Sequence, residues 1–244
     1  MLCSSCGESL SLLPVLADSV PAEEKLCALC RRVPPPFRRA VAFGAYRDTL
    51  RSLIHCLKYD GMHPVARVLG SRLAEIILTL EQETPRKMLV VPVPLHTSKR
   101  RQRRFNQATL LASAAIRVIR QVRPSWELKL SPGFLERQRA TASQAGLSPR
   151  QRRNNLRGAF FVPPGRDLEG EDILLIDDIY TTGATARACS KALLSAGANA
   201  VWVATLARAQ RDEPVAAPAE IELPMQEDVA FWDSRVTQEA ALLH

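Results

Sequence analysis

The sequence predicts an α/β protein, a mainly parallel sheet with flanking helices, that carries a small cysteine-rich appendage at its N-terminus. Three observations predict this. Short apolar runs alternate with longer segments of helical period from Ala40 to Leu206, the pattern of a parallel sheet covered on both faces. One of those runs, Ile173–Ile176, passes into two adjacent carboxylates, Asp177 and Asp178, and then into a Thr-Thr-Gly-Ala-Thr turn at the start of a helical segment. Finally, Cys3, Cys6, Cys27 and Cys30 form two CxxC couples ahead of Pro34-Pro35-Pro36, a stiff extended spacer that divides an appendage (1–36) from a main domain (37–209).

Taken in order, Ala40–Tyr46 reads as a strand and Leu50–Leu57 as a helix. Val65–Leu80 is a second helix, with Val65, Val68, Leu69, Leu73, Ile76, Ile77 and Leu80 along one stripe, a 3.6-residue period. Met88–Val93 is apolar almost throughout, as a strand buried on both faces must be. Gln107–Val122 is helical, Ser148-Pro149 is a helix start, and a strand enters at Phe160. Glu171–Ile176, Thr185–Ser195 and Ala200–Leu206 read as strand, helix and strand, with Gly197 just past the helix where a left-handed cap belongs. Residues 210–244 are different in kind: Arg211–Pro224 is Ala-, Pro- and acid-rich and is expected to be mobile, and Val229–Leu243 could form a helix of its own.

The chain has 244 residues, enough for one α/β core and a small appendage, with an ordinary 46% hydrophobic and 24% charged composition. No apolar run approaches the roughly 20 residues of a membrane helix, and Met-Leu-Cys-Ser-Ser-Cys lacks the pattern of a signal peptide. A cytoplasmic location follows as the expectation. The net charge is +8, but eight acidic against two basic residues put −6 on 210–244 and leave +14 on the rest. A body that basic attracts polyanions such as phosphates, nucleic acid or an acidic membrane surface, unless the charges merely solvate it.

In an open α/β sheet, ligands bind beyond the carboxyl ends of the strands. The backbone N–H groups of Thr181, Thr182, Gly183, Ala184 and Thr185, with the positive end of the following helix, form an anion cradle there. Asp177 and Asp178, placed just before it, suit ribose hydroxyls and an associated Mg²⁺. Both can reach one sugar only if the chain turns at the pair, because successive strand residues point to opposite faces. The bland alternative is an Asp-capped strand-to-helix turn. The segment Ile173–Thr185 resembles the 5-phosphoribosyl-1-pyrophosphate (PRPP) motif of type I phosphoribosyltransferases. That resemblance implies the corresponding fold, ribose hydroxyls on Asp177 and Asp178, and the 5′-phosphate on Thr181–Thr185. It also implies that any chemistry displaces pyrophosphate from PRPP.

The four paired cysteines have the Cys-x2-Cys-x20-Cys-x2-Cys spacing of a closed, structural zinc site. A segment this short has no apolar core, so the metal would supply its folding energy. An iron–sulfur cluster and a redox pair are the alternatives. Cys56 and Cys189 lie in helical patterns and read as packed thiols.

Two further blocks surround the site. Val90–His96 ends a strand in Val-Pro-Val-Pro-Leu-His; its last four residues, Val93, Pro94, Leu95 and His96, suit a pyrophosphate loop, although a loop histidine can equally be idle. Lys99, Arg100, Arg101, Arg103 and Arg104 then lead into Phe105-Asn106-Gln107. Farther on come Arg139-x-Thr141-x-x-Gln144 and a basic stretch through Arg153 and Asn154 to Gly158-Ala159-Phe160. The order of these blocks, with Leu57-Lys58-Tyr59, the PRPP motif and the cysteines, resembles the ComF/GntX family across roughly Met1–Arg208. One departure is Arg103-Arg104-Phe105, where the family commonly has Arg-Gly-Phe. The resemblance implies a protein of natural transformation that handles incoming single-stranded DNA on the cytosolic side of the inner membrane, beside membrane uptake machinery. It makes Lys58, Lys99, Arg100, Arg104, Arg139 and Arg153 candidate phosphate or nucleic-acid contacts. The alternative is an active phosphoribosyltransferase that couples PRPP to a base or amine.

Overall fold

Five parallel strands, in the order β1-β7-β6-β2-β3, form the centre of the computed structural model. The structure describes residues 2–10, 25–59, 63–95, 105–138, 156 and 158–209, all within one compact unit, Met1–Glu213. The expectations for Ser148-Pro149 and for 210–244 lie outside the described residues.

The elements run α1 (Ala28–Arg32), β1 (Arg39–Ala45), α2 (Asp48–Tyr59), α3 (His63–Leu78), a 3₁₀ turn (Glu81–Glu83), β2 (Lys87–Pro92), α4 (Gln107–Val122) and β3 (Glu127–Leu130). They continue as β4 (Glu136–Arg137), β5 (Phe160–Phe161), β6 (Asp172–Tyr180), α5 (Ala184–Ser195) and β7 (Ala200–Arg208). β4 and β5 form a separate antiparallel pair. The mainly parallel α/β architecture is therefore as expected, and most elements fall within two residues of their expected ends.

Each face of the sheet has its own core. On one face Ile54, Leu69, Leu73 and Leu111 of α2, α3 and α4 pack on Val90, Leu174 and Ile176. Gly70 makes that layer tight, because any Cβ there would overlap Ala114 of α4. On the other face Cys189 and Leu193 of α5 pack with Leu89, Val91, Ile173 and Leu175, and the four paired cysteines belong to the same apolar cluster. All nine residues of β7 are buried, as its central position between β1 and β6 requires.

Three differences from the sequence reading matter. β6 does not stop at Ile176 but continues through both carboxylates to Tyr180, because β7 goes on pairing with it as far as Tyr180↔Arg208. Val68, expected on the buried stripe of its helix, is 57% exposed; Ala66, Leu69, Leu73 and Ala74 form the buried face instead. β3 was not read as a strand at all. It is short, it lies at the sheet edge, and it alternates Glu-Leu-Lys-Leu; Trp126 anchors it by donating from Nε1 to the Pro85 carbonyl at 3.1 Å.

Candidate functional site

The neighbours β2 and β6 send the chain in opposite directions. From β2 it crosses through α4 to β3, and from β6 through α5 to β7. α4 packs on one face and α5 on the other. Such a reversal opens a crevice at the carboxyl ends of the two strands. Both expected anion loops leave from it: Val93, Pro94 and Leu95 follow β2, and Thr181–Gly183 follow β6. Val93 N–H still bonds to the Ile176 carbonyl at 2.8 Å, so the two strand ends are locked side by side.

Gly183 makes the β6 loop possible. It is the N-cap of α5 with φ +74°, a left-handed conformation that favours glycine. Its missing side chain also leaves room for the Tyr180 hydroxyl, with which a Cβ would collide. Thr181, Thr182, Ala184 and Thr185 thus gather at a helix N-terminus, as the sequence implied. The Thr182 hydroxyl is buried and has no hydrogen-bond partner among the described residues. Asp177, Thr181, Gly183, Thr185 and Thr205 line one small cavity of about 10 Å³.

The two carboxylates occupy different surroundings. Asp178 is buried toward α2 and α4, where Lys58 Nζ meets its Oδ2 at 2.8 Å and Gln107 Nε2 donates to the same oxygen at 3.1 Å. Burial alone would lower the Lys58 ammonium, but the charge and hydrogen bond of Asp178, with Asp177 behind, hold it above its ordinary value. Asp177 is on the α5 side. Burial first and the Asp178 charge second push its carboxyl up to about 7, against the opposing pull of the Asp178 N–H, Lys58 and Arg137. Its Oδ1 accepts the Asp178 N–H at 2.9 Å. Burial likewise pushes the Cys189 thiol well up, and Cys189 is a packed thiol as expected; Cys56 is only half-buried.

At the facing wall, Asn106 caps α4 by accepting the Ala108 N–H at 3.0 Å, and its Nδ2 donates to the Val93 carbonyl at 3.0 Å. One side chain therefore ties the start of α4 to the loop after β2 and aims Gln107 at Asp178. Arg137 stands over the Phe160 ring at 5.5 Å, near enough to Asp177 for the two charges to interact. Of the other expected contacts, Lys58 is brought into the site by its carboxylate partner. His96, Lys99, Arg100, Arg104, Arg139 and Arg153 lie outside the described residues.

The Sγ atoms of Cys3, Cys6, Cys27 and Cys30 all lie within 4.8 Å of one another, and all four residues are buried. Each CxxC couple supplies a turn: Gly7 N–H bonds to Cys3 carbonyl at 2.9 Å, and Cys27 is the N-cap of α1. A hydrogen bond from Cys30 lowers the Cys6 thiol to about 5, helped by Arg208, and that thiolate pushes Cys30 far up. Four buried sulfurs so close cannot all ionise alone; a divalent cation would allow it. The donor set is that of a closed four-thiolate metal site.

No family model matches the chain. The DNA utilization protein YhgH of Escherichia coli K12 is 32% identical over 209 residues, 85% of this chain and 84% of that protein. The chain belongs to the ComF/ComFC-like family. Other relatives are competence protein F of Haemophilus influenzae, 28% identical over 85% of this chain and 90% of that one, and competence protein ComFC of Bacillus subtilis, 27% identical over 80% and 72%. A solved hypoxanthine phosphoribosyltransferase from Staphylococcus aureus is 15% identical, covers 65% of this chain and 69% of that chain, and has a TM-score of 0.35. The described residues of this ComF-family chain form a parallel five-stranded sheet with helices on both faces and a cluster of four cysteines from the N-terminal segment. Among the described residues, no helix is long and apolar enough to cross a membrane.

Sequence reasoning missed four residues of this ComF-family site. Gln107 and Asn106 carried a visible signal, a polar pair at the head of an apolar helical period. Arg208 did too, as the lone charge at the end of an otherwise uncharged strand. Arg137 carried none, because its place depends on the β4–β5 pairing.

Proposed function

We propose that this protein binds PRPP or a ribose phosphate in the crevice between β2 and β6, and single-stranded DNA through its basic residues, in the service of DNA uptake. One observation carries the reading: at a reversal of strand order, a carboxylate pair, of which Asp178 is held by Lys58, leads into a glycine-pinned helix N-terminus. In this reading Thr181–Thr185 take the 5′-phosphate and Val93–His96 the pyrophosphate. Asp177 takes ribose hydroxyls or a Mg²⁺ ion that arrives with PRPP. Asp178, already bound by Lys58 and Gln107, fixes its neighbour and offers its second oxygen. Lys99, Arg100, Arg104, Arg139 and Arg153 hold phosphates of the strand or of PRPP, and zinc in the four-cysteine ribbon is structural. The names of the relatives, a DNA utilization protein and two competence proteins, support the DNA half. The excess of basic residues ahead of 210 supports it too. The location that fits is cytoplasmic, against the inner membrane.

Calorimetry with PRPP and Mg²⁺ tests the ligand half. Binding is expected for the wild type and is lost in Asp177→Asn; a wild type that takes up no ribose phosphate overturns it. Because Asp177 must be ionised to hold a cation or diol, affinity should rise as pH passes through about 7. Single-stranded DNA binding should weaken steeply with salt, and salt-insensitive binding overturns the DNA half.

A second reading is favoured by the space beside Asn106. Leu95, Phe105, Asn106, Glu136 and Arg137 line a cavity of about 480 Å³, room for a base or amine that would accept the ribose 5-phosphate. PRPP-dependent pyrophosphate release across nucleobases, run with and without single-stranded DNA, separates a transferase from a ligand-binding site.

A further inference from the structure

We infer that the four-cysteine ribbon holds the loop after β6 in shape, with Arg208 and Arg187 as the two positioning residues, so that metal occupancy of the ribbon governs the ligand site. The inference rests on the reading of that loop as the ribose-phosphate cradle.

The loop hangs between two ends, and each end is tied to the ribbon. The first end is Tyr180. The Arg208 guanidinium lies over its ring at 4.4 Å, and Phe37 meets it edge-on at 6.4 Å. The Tyr180 hydroxyl in turn fills the space that Gly183 leaves empty, so a shift of this ring reaches the cap of α5 directly. The hydrogen bonds of Arg208 go to the ribbon. Its Nη1 donates to the Cys6 carbonyl, and its Nη2 donates to Glu8 Oε2 at 2.6 Å and lies 3.6 Å from Cys6 Sγ. The second end is the first turn of α5. There Arg187 N–H bonds to the Gly183 carbonyl at 2.9 Å. The Arg187 side chain donates from Nη1 to the Pro34 carbonyl at 3.1 Å and places Nη2 4.0 Å from Cys30 Sγ. One cysteine of each couple therefore meets an arginine, and the two arginines straddle the cradle.

The direction of control follows from what holds each part. β6 and β7 are fixed by their ladder. The described ribbon segments are short, and beside the four buried cysteines they bring the partly buried Leu10, Leu26 and Leu29 to the core. A bound metal is what fixes such a segment. Arg208 and Glu8 are buried together, and a buried charge is tolerated only while its partner stays in place. Release of the metal frees Cys6 and Glu8, strips Arg208 of its partners and removes the cover from Tyr180. The fault then passes to Gly183 and the N-terminus of α5.

Hydrogen exchange on the full chain tests this without any ligand. The native metal is removed with a chelator, and its loss is confirmed by metal analysis. The amides of Tyr180–Arg187 should then exchange about ten-fold faster, a coupling of ordinary size, while Leu128–Leu130 of β3 keep their rate. Arg187→Met should raise exchange in the same segment with the metal still bound, and chelation should then add little. Arg187→Lys should restore part of the protection, and being half-exposed this position is the safer variant if Arg208→Met does not fold. Unchanged exchange at Tyr180–Arg187 after metal loss overturns the inference, and so does an equal rise at β3. PRPP calorimetry on the same samples should show about ten-fold weaker binding after chelation or in Arg187→Met, without additivity. If the loaded wild type binds no PRPP, the ligand reading fails while the exchange result still decides the strut.

Discussion

Two carboxylates that are neighbours in the chain meet opposite physical solutions on the two faces of β6. On the α2–α4 face Asp178 is buried against Lys58 as its counter-ion and accepts a hydrogen bond from Gln107. On the α5 face Asp177 has Arg137 within electrostatic reach, and burial drives its carboxyl up to about 7. The difference teaches that the pair is not one feature used twice. Asp178 is part of the architecture and locks α2 and α4 to the strand end. Asp177 is the member whose charge responds to its surroundings, as a ligand-facing acid must.

The comparison breaks most visibly at Lys58. Lys58→Met leaves Asp178 buried without its counter-ion, and breaking such a pair costs about 3–5 kcal/mol. Urea unfolding reads the loss directly. Lys58→Met with Asp178→Asn should recover most of it, because no charge stays buried and Gln107 keeps an acceptor. If the single variant is as stable as the wild type, Asp178 is not the architectural member.

The next largest effect belongs to the turn that joins the two faces. Gly183→Ala forces a left-handed residue with a side chain, a cost of about 1–2 kcal/mol, and adds the collision with the Tyr180 hydroxyl. Tyr180→Phe in the same chain should return only the hydroxyl's share, because the ring carbon Cζ would still lie 2.5 Å from that Cβ, and two melting curves measure the share. Asn106→Ala comes after it. Loss of a cap costs about 1 kcal/mol, and here it also releases the Val93 carbonyl at the mouth of the crevice.

The fold was legible because its signals are local. β2, β6 and β7 are apolar runs that only a central strand can bury, and α4 begins and ends where its helical period says. The carboxylate pair and the loop were legible for the same reason, since strand, Asp-Asp and small residues lie within thirteen positions, Ile173–Thr185. What was not legible depends on long-range pairing. The extension of β6 through Asp177 is imposed by backbone hydrogen bonds to β7, to which side-chain polarity is irrelevant. The Lys58–Asp178 contact joins positions far apart in the chain, and no periodicity of α2 singles out its one lysine as an inward residue. Arg208 looked like a basic residue ending a strand; only the fold reveals that it faces Cys6, Glu8 and Tyr180.

The smallest effect is also the one of opposite sign. In the folded chain Asp177 keeps its proton up to about 7, whereas the unfolded chain gives it up near pH 4, as an ordinary Asp does. Between those values the folded state binds more protons than the unfolded state, so this group makes stability fall as pH rises, and the fall levels off above about 7. Asp177→Asn removes the titration. The variant should match the wild type near pH 4 and exceed it at pH 8 by about 1 kcal/mol, well below the full linkage value because the residue keeps some contact with solvent. Urea midpoints at the two pH values measure the gain. A variant that is less stable than the wild type at pH 8 would mean that the ionised carboxylate is held as firmly as that of Asp178. The two faces of β6 would then not differ in the way that assigns the ligand to Asp177.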